Sequence, residues 1–551
     1  MQSDDTYSER IAVLLVHGIG DQTRHEHLQS MAKHFVDIFA DTHGEANVSV
    51  EMFPGAYGRN APLSVLVKRD DGRQICIDFH ECWWRDLGDQ QKVSRVLAFW
   101  VWALSLFGTP GAFHSDTSSL FHPSQGGKQR TRVGMLNRVE LFFKTTYFFL
   151  LLYPMWLVTK VVSIIPGLGN VRFFRAVFAY LSSVKLYQEW PAKFRGTLVD
   201  FDQPRRISIA RRVITSILHV ATQGYDRWYV VAHSLGSVIA YKALTTNGNA
   251  LACLLTKNQW DDDQVEELKT KSLLRDDDLA HPEQPKVPMW LEPEDAIDRK
   301  LLFARCRGLI TWGSPLETFA QTWPAITPIT SEEPFPEGFE WLNFHDPVDV
   351  VASPLRSFSA NARMAPAIRL APKNVPCRSS LNIASAHTGY FRHRNNGDAR
   401  RRIGASVARW MQQPGRTFEQ IAADVGLTSL RPWSIFVRRA LLLAQAFVIL
   451  FFGIWIWPKA IFLLLTVVLQ VPRVLFILSP EIEGHYREFM DPILKRLSDP
   501  KMGLNALGAM EIIAGTALML LVLGLVHYLI AKRLRATEIG KEETIVLGRG
   551  A

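Results

Sequence analysis

The stretch Trp228-Tyr-Val-Val-Ala-His-Ser234-Leu-Gly-Ser-Val-Ile-Ala-Tyr241 joins two kinds of local pattern. Its first half is an unbroken run of aromatic and β-branched residues, the composition of a strand buried on both faces. Its second half reads as helix. Ser234 sits at the junction, with Ala232 two residues before it and Gly236 two after. Small residues at those places let the backbone pass close to a sharp strand-to-helix turn. Such a turn lifts the hydroxyl clear of the sheet. It also leaves the Leu235 N–H at a helix N-terminus, ready to receive negative charge. Locally, an ordinary βα turn that happens to hold a serine looks the same, so the surrounding chain decides.

Upstream, Ile11–Val16 is a continuous apolar run ending in His17-Gly-Ile-Gly-Asp21, and residues 26–41 show helical spacing. A phosphate-binding loop is the obvious rival. However, the later glycine of a dinucleotide fingerprint and a Gly-Lys-Ser/Thr triplet are both missing. Val48–Phe53 and Ile75–Phe79 read as strands, and Ile207–Thr222 as an amphipathic helix leading into the Trp228 run. Downstream, Gly308–Trp312 reads as a strand ending in a Gly313 turn. Phe339–Phe344 is a strand running into His345-Asp346-Pro-Val-Asp349, and Leu381–Ala384 a strand running into His387. Residues 400–411 read as a closing helix. Strands alternating with helices predict an α/β fold with a mostly parallel sheet and flanking helices.

At 551 residues the chain is long enough for more than one domain. Residues 1–90 and 205–411 read as the two halves of the α/β core. A polar insertion at 256–300 carries acidic clusters without the regular spacing of a calcium loop. Residues 91–204 read as an apolar insertion, a lid or a membrane-contacting element, because 141–168 is strongly apolar but broken by Lys144, Pro154, Lys160 and Pro166. Residues 412–437 read as a linker. From 438 onward the chain reads as a membrane region, with apolar runs at 440–457, 461–478 and 512–530.

The net charge of +9 could suit nucleic acid, yet zinc-ligand spacing, aromatic RNA-binding signatures and a dense basic tract are all missing. Attraction to anionic lipid fits the apolar runs better. His80 and Cys82 are too few, and too isolated in the sequence, for a metal site, and no cofactor is expected. The five cysteines are odd in number and scattered, which argues against a disulfide framework. The polar N-terminus lacks a secretory signal pattern. The expectation from these features is an integral, multi-pass membrane protein with its α/β part in the cytoplasm.

Val16-His-Gly-Ile-Gly20, Ala232-His-Ser-Leu-Gly236 and Thr311-Trp-Gly-Ser-Pro-Leu316 together resemble the α/β-hydrolase superfamily, in particular its lipase-like members. The likeness covers roughly residues 10–60, 205–255 and 300–411. It departs from the family pattern at Ala232, which is small enough for the turn. The order serine, acid, histidine is the one that superfamily uses. The resemblance implies Ser234 as nucleophile, His387 as its general base and Asp349 as the acid, with Asp346 the alternative acid. The backbone N–H groups of Ile19 and Leu235 would form the oxyanion hole. His17, His233 and Ser237 read as packing or hydrogen-bonding neighbours, and His345 and His393 as rival histidines to His387. The expected activity is hydrolysis of an acyl ester, with a lipid as the substrate class that explains membrane attachment. A non-catalytic hydrolase-fold scaffold is the other reading.

Overall fold

In the computed structural model, described positions are residues 7–18, 24–51, 62–69, 72–87, 187, 205–272, 285–322, 327, 335–349, 351–359, 370–379, 386–387, 389–390, 397–427, 433–438, 440 and 444. The chain divides into two units, one of residues 1–135 with 175–435 and one of residues 136–174 with 436–551. The first holds every strand and helix named below. Of the second, only residues 436–438, 440 and 444 are described.

The first unit is built on an eight-stranded sheet. Its strands are β1 (Glu9–Val16), β2 (Val48–Glu51), β3 (Leu63–Lys68), β4 (Gln74–Cys82), β5 (Arg227–His233), β8 (Cys306–Trp312), β9 (Glu340–His345) and β10 (Pro372–Pro376). A short separate hairpin joins β6 (Lys269–Lys271) to β7 (Asp295–Ile297). The sheet order is β10-β9-β8-β5-β1-β4-β3-β2. From β10 to β4 every neighbouring pair is parallel, and β3 and β2 continue antiparallel. The expected α/β class with a mostly parallel sheet is what the structure shows.

The continuous apolar runs are explained by burial on both faces. Along β1, Ala12, Leu14 and Val16 join a core cluster with Ile209, Val213 and Ile217 of the helix Arg205–Thr222 (α2). Ile11, Val13 and Leu15 join the opposite cluster with Met31, Phe35 and Phe39 of the helix Glu26–His43 (α1). Burying one such side chain stabilises the fold by about 1.5–3 kcal/mol, so neither face tolerates a polar residue at low cost. The helix Leu235–Thr245 (α3) lies with α2, while the helix Gly397–Gln412 (α4) packs beside α1.

Several expectations need revision. The sequence reading did not anticipate β3. β10, Pro372-Lys-Asn-Val-Pro376, forms the strand before His387, whereas Leu381–Ala384, expected in that role, lie outside the described residues. The stretch 412–437, read as a linker, contains a helix Phe418–Asp424 (α5), with Thr417 and Gln420 forming a capping box and Phe418 and Ile421 buried. These apolar contacts and the Phe418 N–H bond to Glu340 at 2.8 Å tie it to the sheet unit. The insertion 256–300, read as solvated surface, buries Val265, Leu291 and Ile297. Among the described residues no helix is long and apolar enough to cross a membrane. The runs 141–168, 461–478 and 512–530 lie outside them, as does 440–457 apart from Ala440 and Ala444.

Candidate active site

Because β1, β5, β8, β9 and β10 run parallel, their C-terminal ends share one edge, the place where open α/β sheets carry ligands. Ser234 follows β5 directly and caps α3 from the N-terminal side. Its backbone sits at φ 53, ψ −131, and among the described residues it and His25 are the non-glycine positions with positive φ. A strained conformation of this kind persists only where its surroundings enforce it.

The surroundings do so by close packing. A Cβ on Gly236 would lie 2.4 Å from the Val16 carbonyl oxygen and 2.5 Å from that of His17. The first turn of α3 is therefore pressed onto the end of β1. The Ser234 N–H donates to the Trp312 carbonyl at 3.0 Å. Leu235 opens α3, so its N–H belongs to the helix N-terminal donors that have no partner within the helix.

The loops after β9 and β10 bring two further side chains to Ser234. His387 Nε2 lies 2.8 Å from Ser234 Oγ, and His387 Nδ1 lies 3.0 Å from Asp349 Oδ2. All three expected residues therefore meet in hydrogen-bond sequence. With Asp349 accepting at Nδ1, the tautomer that leaves Nε2 bare to take the serine proton is favoured. Burial alone would raise the Asp349 carboxyl. The neighbouring His387, the Val351 N–H at 2.8 Å and the Tyr390 hydroxyl outweigh it and bring it down to about 2. The surroundings therefore favour the charged carboxylate.

Asp346, the alternative acid, does a different job. Its carboxylate accepts the Ser379 N–H at 2.6 Å and the Val348 N–H at 2.9 Å, and lies 2.9 Å from the Ser379 hydroxyl oxygen. The same Ser379 hydroxyl lies 2.6 Å from the Ala386 carbonyl, next to His387. Asp346 thereby fastens the loop that presents the imidazole.

The other histidines occupy supporting positions. His233 stacks on His387 with 5.0 Å between ring centroids, and its Nε2 lies 3.0 Å from the His387 carbonyl oxygen, to which it donates. Burial, reinforced by His387, pushes the His233 imidazole down to about 3, so it stays neutral and does not oppose positive charge on His387. His17 accepts the Trp84 N–H at Nε2 (3.1 Å), which leaves Nδ1 to donate to the Gly18 carbonyl at 2.7 Å. Burial holds His17 down to about 4, in keeping with this neutral form. His345 is buried at the end of β9, where its carbonyl accepts the Cys377 N–H. His393 and Ile19 lie outside the described residues.

The Thr311–Leu316 motif also acquires a physical role. Gly313 has φ 59, and a Cβ there would lie 3.2 Å from His387 Nδ1 and 3.0 Å from Tyr390 Cε2. The glycine thus makes room for the imidazole. Ser314 Oγ is 2.7 Å from Ser237 Oγ, and Ser237 also donates to the Ser234 carbonyl at 2.6 Å, which ties the start of α3 to the end of β8.

His80 is taken up in a separate buried network, where its Nε2 lies 2.9 Å from the Tyr225 hydroxyl, which donates to Asp78. Among the described residues no three His, Cys, Asp or Glu side chains are grouped to hold a metal ion. Sequence reasoning missed Tyr390, Ser379 and the bond from His233 to the His387 carbonyl. Only their closeness in the chain to His387 or Ser234 could have drawn notice. Comparison with family models, with curated proteins and with solved structures finds no match.

Proposed function

We propose that this chain is a membrane-associated serine hydrolase, of lipase or esterase type, that cleaves an acyl ester through an acyl-enzyme on Ser234. The observation that carries the reading is the chain of two hydrogen bonds, 2.8 Å from Ser234 Oγ to His387 and 3.0 Å from His387 to Asp349. The strained serine turn and the resemblance to the α/β-hydrolase superfamily support it.

In this mechanism His387 Nε2 takes the Ser234 proton as Oγ adds to the ester carbonyl. Asp349 stabilises the imidazolium that forms. Negative charge on the tetrahedral carbonyl oxygen is received by the Leu235 N–H and, on the motif's expectation, by that of Ile19. His387 then protonates the departing alcohol, leaving an acyl group on Ser234. Water attacks that acyl group by the same route, giving up its proton to His387, and releases the acid.

The substrate class follows from the sequence. The long apolar runs and the +9 charge suit a protein held at an anionic lipid surface, where acyl esters are concentrated. In this reading the hydrolase unit faces the cytoplasm. The test is labelling with a fluorophosphonate, followed by turnover of short soluble esters and of phospholipid vesicles. Wild type should label, Ser234→Ala should not, and vesicles should be the better substrate. Folded wild-type protein that never labels would overturn the hydrolase reading in favour of a non-catalytic scaffold. Rapid turnover of soluble esters with inert vesicles would overturn the lipid assignment alone.

A further inference from the structure

The loop that carries His387 returns to Asp349 three residues later. Tyr390 donates its hydroxyl proton to Asp349 Oδ2 at 2.9 Å, the same oxygen that faces His387 Nδ1. The phenol oxygen in turn accepts the Asp346 N–H at 2.9 Å. That second bond settles the direction of the first. A backbone N–H can only donate, so it occupies a lone pair of the phenol oxygen and leaves the hydroxyl proton for the carboxylate. The ring is fixed too, edge-on to Trp312 and to His233.

We propose, building on the hydrolase reading, that Tyr390 is a positioning residue of the reaction: its hydroxyl holds Asp349 Oδ2 in line with His387 and sets how strongly that carboxylate attracts the imidazolium. The groups facing the phenol bear this out. Asp346 and Asp349 approach from the loop after β9, Cys377 lies after β10, and His233 ends β5. Burial, with Asp349, Cys377 and Asp346 adding, pushes the phenol well above its usual range, so it remains a proton donor throughout. Asp349 Oδ2 therefore receives two donors and Oδ1 receives the Val351 N–H, which leaves the carboxylate little freedom to rotate.

The hydroxyl also tempers the carboxylate. A donor on Oδ2 spreads its negative charge and weakens its pull on the neighbouring imidazole. Removing the donor has two effects that ordinary packing loss does not have. Asp349 still faces His387 but is held less firmly in line with it, which slows proton transfer. The carboxylate also becomes more basic and favours imidazolium, which moves the acid limb of the rate profile to higher pH.

Tyr390→Phe keeps the ring contacts and deletes only the hydroxyl. The fluorophosphonate labelling rate and kcat should fall roughly ten-fold, the loss expected for a hydrogen bond to a charged group. KM should be little changed and the acid limb should move upward. Tyr390→Leu, which removes the ring as well, should lower the melting temperature more than Tyr390→Phe does. If Tyr390→Phe labels at the wild-type rate with an unmoved acid limb, the positioning role is refuted even if the variant is less stable. Wild-type protein that does not label would instead remove the hydrolase reading on which the proposal rests.

Discussion

A methyl group on Gly18 would lie 2.6 Å from Cβ of Ser234 and 2.8 Å from the His233 carbonyl oxygen. The turn after β1 is therefore pressed against the serine turn after β5, and neither backbone can retreat without disturbing the sheet. Gly18→Ala should reduce labelling by at least ten-fold, and Gly236→Ala, whose Cβ meets two carbonyl oxygens, should cost more in stability. Thermal melting and labelling rate together check this. A fully active, equally stable Gly18→Ala protein would show that the close approach is not maintained.

The positive φ of Ser234 is a cost carried for position. Such a backbone costs about 1–3 kcal/mol for a residue with a side chain, and glycine adopts it freely. Ser234→Gly should therefore be inactive yet more stable by roughly 1 kcal/mol after the greater unfolded-state freedom of glycine is allowed for. Ser234→Ala should be inactive without that gain. Urea denaturation of the two variants side by side decides the point.

The two aspartates should separate by kind of defect. Asp349→Asn leaves the shape and loses the charge that faces His387, and should slow labelling on the order of a thousand-fold. Asp346→Asn places an amide against the donors of Ser379 and loosens the loop ending at Ala386. It should slow labelling only about ten-fold while lowering the melting temperature. Equal rate losses for the two substitutions would contradict these roles.

Acid should weaken the fold before it touches the Asp349 carboxylate. Burial holds His17 at about 4, and His27 and His233 at about 3, against an ordinary 6.5. These histidines are neutral in the folded chain and protonate on unfolding. The unfolded chain then binds more protons below pH 6.5, so stability falls as the pH drops from 6.5 toward 4. Each such group contributes up to about 1.4 kcal/mol per pH unit. The depressed Asp349 adds stability above its ordinary 3.8 that is lost only as the pH falls toward 2. Urea midpoints should decline from pH 7 to 5, and His27→Leu should make the decline shallower. A flat profile would show that these imidazoles are not held neutral.

What could be read from the chain divides along physical lines. β1 and β5 were legible because both faces are buried, which forces runs such as Ile11–Val16 with no polar interruption, and β8 and β9 because their apolar majority ends in a turn. β10 was not, because it is an edge strand. Its Pro372, Lys373, Asn374 and Pro376 would be excluded from a central strand, and it is fixed by cross-strand bonds such as Asn343 to Asn374 at 2.9 Å. Ser234, Asp349 and His387 were legible as residue types at strand ends. The preference for Asp349 over Asp346 came from the family resemblance, but the bonds of Asp346 to Ser379 and Val348 were not legible, since they depend on which loop atoms surround each carboxylate. Tyr390 was illegible for the same reason: its partner is set by how the loop curls back, not by its neighbours in sequence.

The central strand carries a consequence for how the protein is made. β1 pairs with β4 on one side and β5 on the other. Roughly 145 residues separate the end of β4 from the start of β5, so at about 5–20 residues per second the ribosome needs on the order of ten to thirty seconds between them. Throughout that interval one backbone edge of β1 is an open template for any passing strand. That edge is closed only once Arg227 and the residues after it have emerged and paired with β1.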